Sequence, residues 1–182
     1  MVLFDTTMVL LLLQENAPAP LDPSTGKPIQ GVKERIEHLI RKLDDEDQTI
    51  VIPTPVLSEI LVLSGKAGAN YIQIIEGSSR FRIAPFDTRG AVQVASMAND
   101  AIRKGNKKGD SKAVWAKVKY DRQIVAIGIT EDVSVIYSDD KDLRALAEKH
   151  HIKAYGIADL FLPINSPVSP QTSFYPLLNH PE

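Results

Sequence analysis

A chain of 182 residues, 43% of them apolar or aromatic and 24% charged, has room for one domain with a sizeable core and is too apolar to be disordered throughout. With no cysteine, a disulfide framework, a zinc-thiolate site and a thiol nucleophile are all excluded. A net charge of −2 excludes an overall basic coat for nucleic acid, but not a local basic patch.

The chain opens on Val2-Leu3-Phe4, which reads as a short buried strand ending at Asp5. Met8 to Leu13 is the most apolar run and suits two helical turns. It is far too short to span a bilayer, and Asp5 interrupts any secretory pattern, so the expectation is a soluble, cytoplasmic protein with no membrane partner. Gln14 to Gly31 holds Pro18, Pro20, Pro23 and Pro28 and is expected to be a loop. Val32 to Leu43 has helical spacing of apolar residues, and the acidic run 44–47 reads as a solvated turn. Thr49-Ile50-Val51-Ile52 is a β-branched run stopped by Pro53 and reads as a buried strand, and Val56 to Leu63 is a helix with Pro55 in its first turn.

Ala69 to Ile75 suits a short helix and Phe81 to Phe86 a strand. Asp87 is placed to cap a long helix over 89–104. After a polar loop at 105–109, Val114 to Val118 is short and apolar, and Asp121 is expected to open a helix reaching Ile129. Val133 to Tyr137 is a strand that runs into Ser138-Asp139-Asp140. Leu143 to His151 is helical, 152–155 a last strand and 157–162 a final helical turn. Residues 163–182 carry five of the twelve prolines and are expected to form a tail without a core of its own.

Strands alternating with helices imply an α/β fold, a mostly parallel central sheet with helices on both faces. Ligands of such sheets sit beyond the carboxyl ends of the strands. Asp5 lies at one strand end and Asp139, Asp140 and Asp142 follow another; Glu59 lies in the helix after the second strand, and Asp121 near the start of a later helix. Four or more carboxylates gathered at one sheet edge repel each other unless cations bind, and hard divalent ions, Mg²⁺ or Mn²⁺, match oxygen ligands. Two such ions can activate water and stabilise the leaving oxygen of a phosphodiester. Taken singly, each acid has a plainer reading: Asp5 and Asp121 as helix N-caps, Glu59 as an outward-pointing residue, and 139–142 as a polar capping turn.

Four segments carry a resemblance: Leu3-Phe4-Asp5-Thr6-Thr7, Thr54-Pro55-Val56-Leu57-Ser58-Glu59-Ile60, Tyr120-Asp121-Arg122-Gln123-Ile124-Val125-Ala126 and Ile136-Tyr137-Ser138-Asp139-Asp140-Lys141-Asp142-Leu143. In this order they resemble the PIN-domain family, metal-dependent ribonucleases that include the toxins of toxin–antitoxin pairs. The resemblance spans about residues 1–162 and implies one PIN-like nuclease domain ahead of the 163–182 tail. It implies Asp5, Glu59, Asp121 and Asp140 as catalytic, metal-binding acids, with Asp139 and Asp142 as alternative or additional ligands at the fourth place. It also implies a supporting role for Thr7 beside the first aspartate, an antitoxin-like protein partner and self-association as a homodimer. The longer 14–31 loop and the helix after it depart from the small toxin-type members.

Between Arg103 and Arg122 lie eight basic residues and two acidic ones, a local charge of +6. Folded onto the rim of the acidic pocket, Lys117, Lys119 and Arg122 would hold the phosphates of an RNA substrate. The lone Trp115, set among small apolar residues, reads as core rather than as a platform for bases. The four histidines have no metal-ligand spacing, and Ser24-Thr25-Gly26-Lys27-Pro28 lacks the residues of a phosphate loop. The combined reading is a Mg²⁺/Mn²⁺-dependent endoribonuclease, with a toxin-type component as one form of it. The rivals are a haloacid-dehalogenase-type phosphatase, disfavoured because Thr7 stands where its second acid is needed, and a PIN-like module that binds RNA or protein without cleaving.

Overall fold

Three apolar residues with no polar alternation make β1 (Val2–Phe4), and every one of them is buried. The same holds for β2 (Ile50–Pro53). Because successive side chains of a strand point to opposite faces, full burial means that both faces of the sheet are covered. The computed structural model describes residues 1–14 and 16–163, so the proline-rich stretch expected to be a tail lies, beyond Pro163, outside the described residues. With β3 (Phe81–Ala84), β4 (Val135–Tyr137) and β5 (Lys153–Tyr155), the five strands form one parallel sheet in the order β3-β2-β1-β4-β5. Val2 is level with Ile50 on one side and with Val135 on the other.

Helices fill the connections: α1 (Thr6–Leu13) and α2 (Val32–Asp45) before β2, α3 (Thr54–Ser64) and α4 (Gly68–Gly77) before β3, α5 (Thr88–Arg103) and α6 (Trp115–Thr130) before β4, and α7 (Lys141–Lys149) before β5. Leu3, Phe4, Met8, Ile52, Ile60, Ile127, Ile136 and Leu143 are the fully buried heart of the core. Burial of side chains this size contributes about 1.5–3 kcal/mol each. Asp87 caps α5 through Gly90 N–H at 3.0 Å, as its position in the sequence suggested. Within the 14–31 loop, an antiparallel bridge joins Leu21 to Pro28 and buried Ile29 anchors the return. No helix among the described residues is long and apolar enough to cross a membrane.

One element differs from the sequence reading. No helix opens at Asp121; α6 runs unbroken from Trp115, and Asp121 lies within its second turn. A capping aspartate needs free backbone N–H groups beside it, and in an unbroken helix these are already used. The carboxylate turns instead to Lys117, one turn earlier on the same face.

Candidate active site

The strand order places the site. From β1 the chain winds outward through β2 to β3, then returns to lay β4 on the other side of β1. The carboxyl ends of β1 and β4 therefore flank the point where the order reverses, the usual ligand crevice of an open parallel sheet. β1 ends at Asp5 and β4 at Ser138-Asp139-Asp140. From β2 the chain turns directly into α3 through Pro53, with Pro55 in the first turn, and this carries Glu59 toward the same crevice. Lys117, Tyr120, Asp121 and Ile124 bring α6 to the opposite wall. The resulting cleft, about 600 Å³, is lined by the carboxylates of Asp5, Glu59, Asp121 and Asp140 together with Thr6, Thr7 and Lys117.

Asp5 occupies the N-cap position of α1, yet its side chain does not cap that helix. Oδ2 accepts a 2.6 Å hydrogen bond from the hydroxyl of fully buried Ser138. The same Ser138 oxygen accepts the N–H of Asp140 at 3.0 Å, so one hydroxyl stitches together the ends of β1 and β4. Burial pushes the Asp5 carboxyl up to about 6, against the Ser138 hydrogen bond and with added repulsion from Glu59 and Asp140. Glu59 is exposed as a residue, but its Oε2 accepts the Thr6 hydroxyl at 2.6 Å.

Lys117 links the other two acids. Its ammonium donates to Asp121 Oδ2 at 2.8 Å and lies 2.6 Å from Asp140 Oδ2. Burial raises the Asp121 carboxyl, with Lys117 opposing the rise. Burial also acts to raise Asp140, but there Lys117 and the backbone N–H groups of Leu143 and Asp142 prevail and hold the carboxyl below its ordinary value. Those N–H groups reach Asp140 Oδ1 at 3.2 and 2.8 Å, so Asp140 caps α7 with one oxygen and faces the cleft with the other.

The remaining sequence candidates lie elsewhere. Asp139 accepts the Ile157 N–H at 2.7 Å and so fastens the turn after β5; it does not line the cleft. Asp142 accepts the Ser111 hydroxyl at 3.1 Å, also outside the cleft lining. Lys119 is exposed and away from that lining. Arg122, expected at the pocket rim, is buried and donates to the Lys107 carbonyl at 2.7 Å. It is one residue on from Asp121, and 100° of helical rotation turns it away from the cleft. Trp115, expected in the core, is half-buried, with Lys107 and Arg122 stacked on its ring at 5.1 and 5.5 Å. Thr6 and Ser138 escaped the sequence reading as supports of the acids. The strand-end rule that selected Asp5 and Asp140 also reaches Ser138, and a hydroxyl directly after a buried strand is the signal that was present.

The donor set is all oxygen and suits a hard divalent cation. The two carboxyls raised by burial, Asp5 and Asp121, mark a place where extra positive charge is favoured. Among the described residues, however, no three acidic or histidine side chains stand close enough together to hold an ion as they are placed. Lys117, between Asp121 and Asp140, takes the position that separates them.

The fold and this cleft define a class before any comparison is made: a parallel α/β domain with a carboxylate-lined crevice at its switch point. No protein-family model matches the chain and no curated protein sequence matches it. Among solved structures it is similar to VapBC2 from Rickettsia felis bound to a DNA fragment from its promoter, with 14% identity, a TM-score of 0.54 and coverage of 86% of this chain and 98% of that one. It is similar also to DNA-bound VapBC from Salmonella typhimurium, with 18% identity, a TM-score of 0.52 and coverage of 86% and 97%. A third likeness is to Mycobacterium tuberculosis VapC20, a Sarcin-Ricin loop cleaving toxin, with 13% identity, a TM-score of 0.51 and coverage of 80% and 95%. At these identities the likeness establishes the fold, and the fold is that of the PIN domain.

Proposed function

We propose that the protein is a Mg²⁺- or Mn²⁺-dependent endoribonuclease of the toxin type, hydrolysing RNA phosphodiester bonds in the cleft of Asp5, Glu59, Asp121 and Asp140. The observation that carries this reading is the gathering of four carboxylates from four separate elements in one crevice of a PIN-type fold. Asp5, Glu59, Asp121 and Asp140 are the residues that would hold the ion. A divalent ion there supplies Lewis-acid activation of the phosphoryl group and of water. The chain's own residues do the rest. Thr6 and Ser138 fix the orientation of Glu59 and Asp5. Thr7 and the Lys117 ammonium offer donors to the phosphate oxygens. Water attacks phosphorus in line, one cleft carboxylate takes its proton, and the P–O bond to the leaving oxygen breaks as that oxygen takes up a proton from solvent.

Two of the similar structures are VapBC assemblies, and on that likeness an antitoxin-like protein partner belongs to the same proposal. The test incubates the purified chain and its Asp121→Asn variant with labelled RNA in Mn²⁺, Mg²⁺ or chelator. Cleavage by the parent in metal alone, falling by about a hundredfold or more in the variant, is the expected result; even loss of an outer-shell partner of a metal ligand commonly costs about 10–100-fold.

A second reading rests on Lys117. Its ammonium already neutralises Asp121 and Asp140, as it would in a PIN-fold module that binds RNA or protein without cleaving. RNA binding without metal uptake and without turnover would select that reading.

A further inference from the structure

Beside α6 lies a second cavity, of about 320 Å³, walled by α5, the loop after it and α7. Its polar lining is mostly cationic: Lys104, Arg122 and Lys149, with His150, against a single acid, Asp100. Arg122 is only 3% exposed. One nitrogen, Nη2, donates to the Lys107 carbonyl, while Nη1 is buried and has no hydrogen-bond partner. Arg122 takes part in none of the ion pairs among the described residues.

A smaller adjoining cavity, about 140 Å³, shares Arg122 and Lys149 and adds the acids Asp110, Asp121 and Asp142. None of the three is held for Arg122. Asp121 is taken by Lys117 and Asp142 by Ser111, while Asp110 is fully exposed and only 3.5 Å from Lys149. An exposed pair of that kind is readily exchanged.

A buried guanidinium with an unused N–H is costly unless an acceptor arrives, and an oxyanion offers several acceptor oxygens to arginine's planar fork. Lys104 and Lys149 are both exposed and able to close on such a group from the mouth. We propose that this cavity binds a phosphate group, with Arg122 at its base and Lys104 and Lys149 at its mouth. The phosphate is either a backbone phosphate of RNA or that of a free ion or mononucleotide. The site stands on its own residues and does not depend on cleavage in the acidic cleft.

Trp115 makes the proposal measurable. It is the chain's only tryptophan, and Arg122 lies over its ring. The full chain is titrated with inorganic phosphate in chelator, at ionic strength held constant with chloride. Tryptophan fluorescence and ³¹P line width are followed together. A saturable change in either is expected, with its midpoint weakened by about tenfold or more in the Lys104→Ala/Lys149→Ala variant, whose two exposed side chains can be lost without disturbing the core. No phosphate-specific change in both readouts overturns the proposal. So does a midpoint that the double variant leaves where it was. A short 2′-O-methyl oligoribonucleotide then identifies the source. If it binds tighter than inorganic phosphate and displaces it, the cavity is a subsite for RNA backbone; if phosphate or a nucleoside monophosphate binds tighter, the ligand is the small anion. Because the readout is binding in chelator, its failure would leave the nuclease reading intact, and the failure of that reading would leave this one intact.

Discussion

Burial turns the ionisation of Asp5 into a question of stability. Its carboxyl titrates near 6 in the folded chain and near 3.8 when unfolded. Below 3.8 both states hold the proton and there is no penalty. As pH rises from 3.8 through 6 the unfolded chain gives up its proton first, so stability falls, by up to about 3 kcal/mol above pH 6. Asparagine keeps an acceptor for the Ser138 hydroxyl and never ionises. Denaturation in chelator should therefore find Asp5→Asn more stable than the parent at pH 7 to 8, with the two converging by pH 4. A variant no more stable at pH 8 would show that Asp5 is hydrated in the folded state. Ser138→Ala tests the other half of the contact. Removing the hydroxyl takes a donor from the buried Asp5 carboxylate and an acceptor from the half-buried Asp140 N–H. A loss of about 1–3 kcal/mol in chemical denaturation is expected.

At the scale of elements, α7 and the turn after β5 are locked by a small set of contacts. Asp139 holds the Ile157 N–H, and Arg144 donates to the Ser138 carbonyl at 2.7 Å. A Cβ at Gly156 would lie 2.8 Å from Arg144 Nη1 and 2.9 Å from Asp139 Oδ1. Gly156→Ala should cost about 1–2 kcal/mol by overpacking, read as a lower denaturation midpoint, with the strands themselves intact. β1 and β4 were legible in the sequence because each is a short apolar run with an abrupt polar end, and the acids at those ends stood out with them; β3 and β5 carry Arg82 and Lys153 and lack so plain a signal. α6 was misread for a definite reason. Aspartate favours caps, and the charges around it imitate a loop; only the pairing of Lys117 with Asp121, four residues apart, reveals the continuous helix. Arg122 was misplaced by the same error, since a helix opening at Asp121 leaves its rotation undefined. Sequence position gave no warning that Asp139 and Asp140, neighbours in the chain, serve different ends: one fixes a turn, the other faces the cleft.

Across the whole molecule, charge is distributed unevenly. A chain of net −2 carries +6 within residues 103–122. If RNA uses that stretch, its affinity in chelator must fall as salt rises, with a slope of about −0.7 in log K against log salt for each phosphate neutralised on a single strand. Replacing Lys107, Lys108 and Lys112 by alanine should flatten the slope by up to about 2. A slope that does not change would place the RNA on another face.

The bridge that Lys117 makes between α6 and the start of α7 has a consequence for the order of events. A crevice of four unscreened acids would resist closing until an ion arrived, and folding would then wait on metal supply. Here the polypeptide brings its own counter-ion, attached by a flexible stem, so the domain can reach its final shape first and exchange one cation for another later. Chelator-treated protein should keep its melting temperature, whereas Lys117→Met should lower it in chelator and recover it in Mn²⁺.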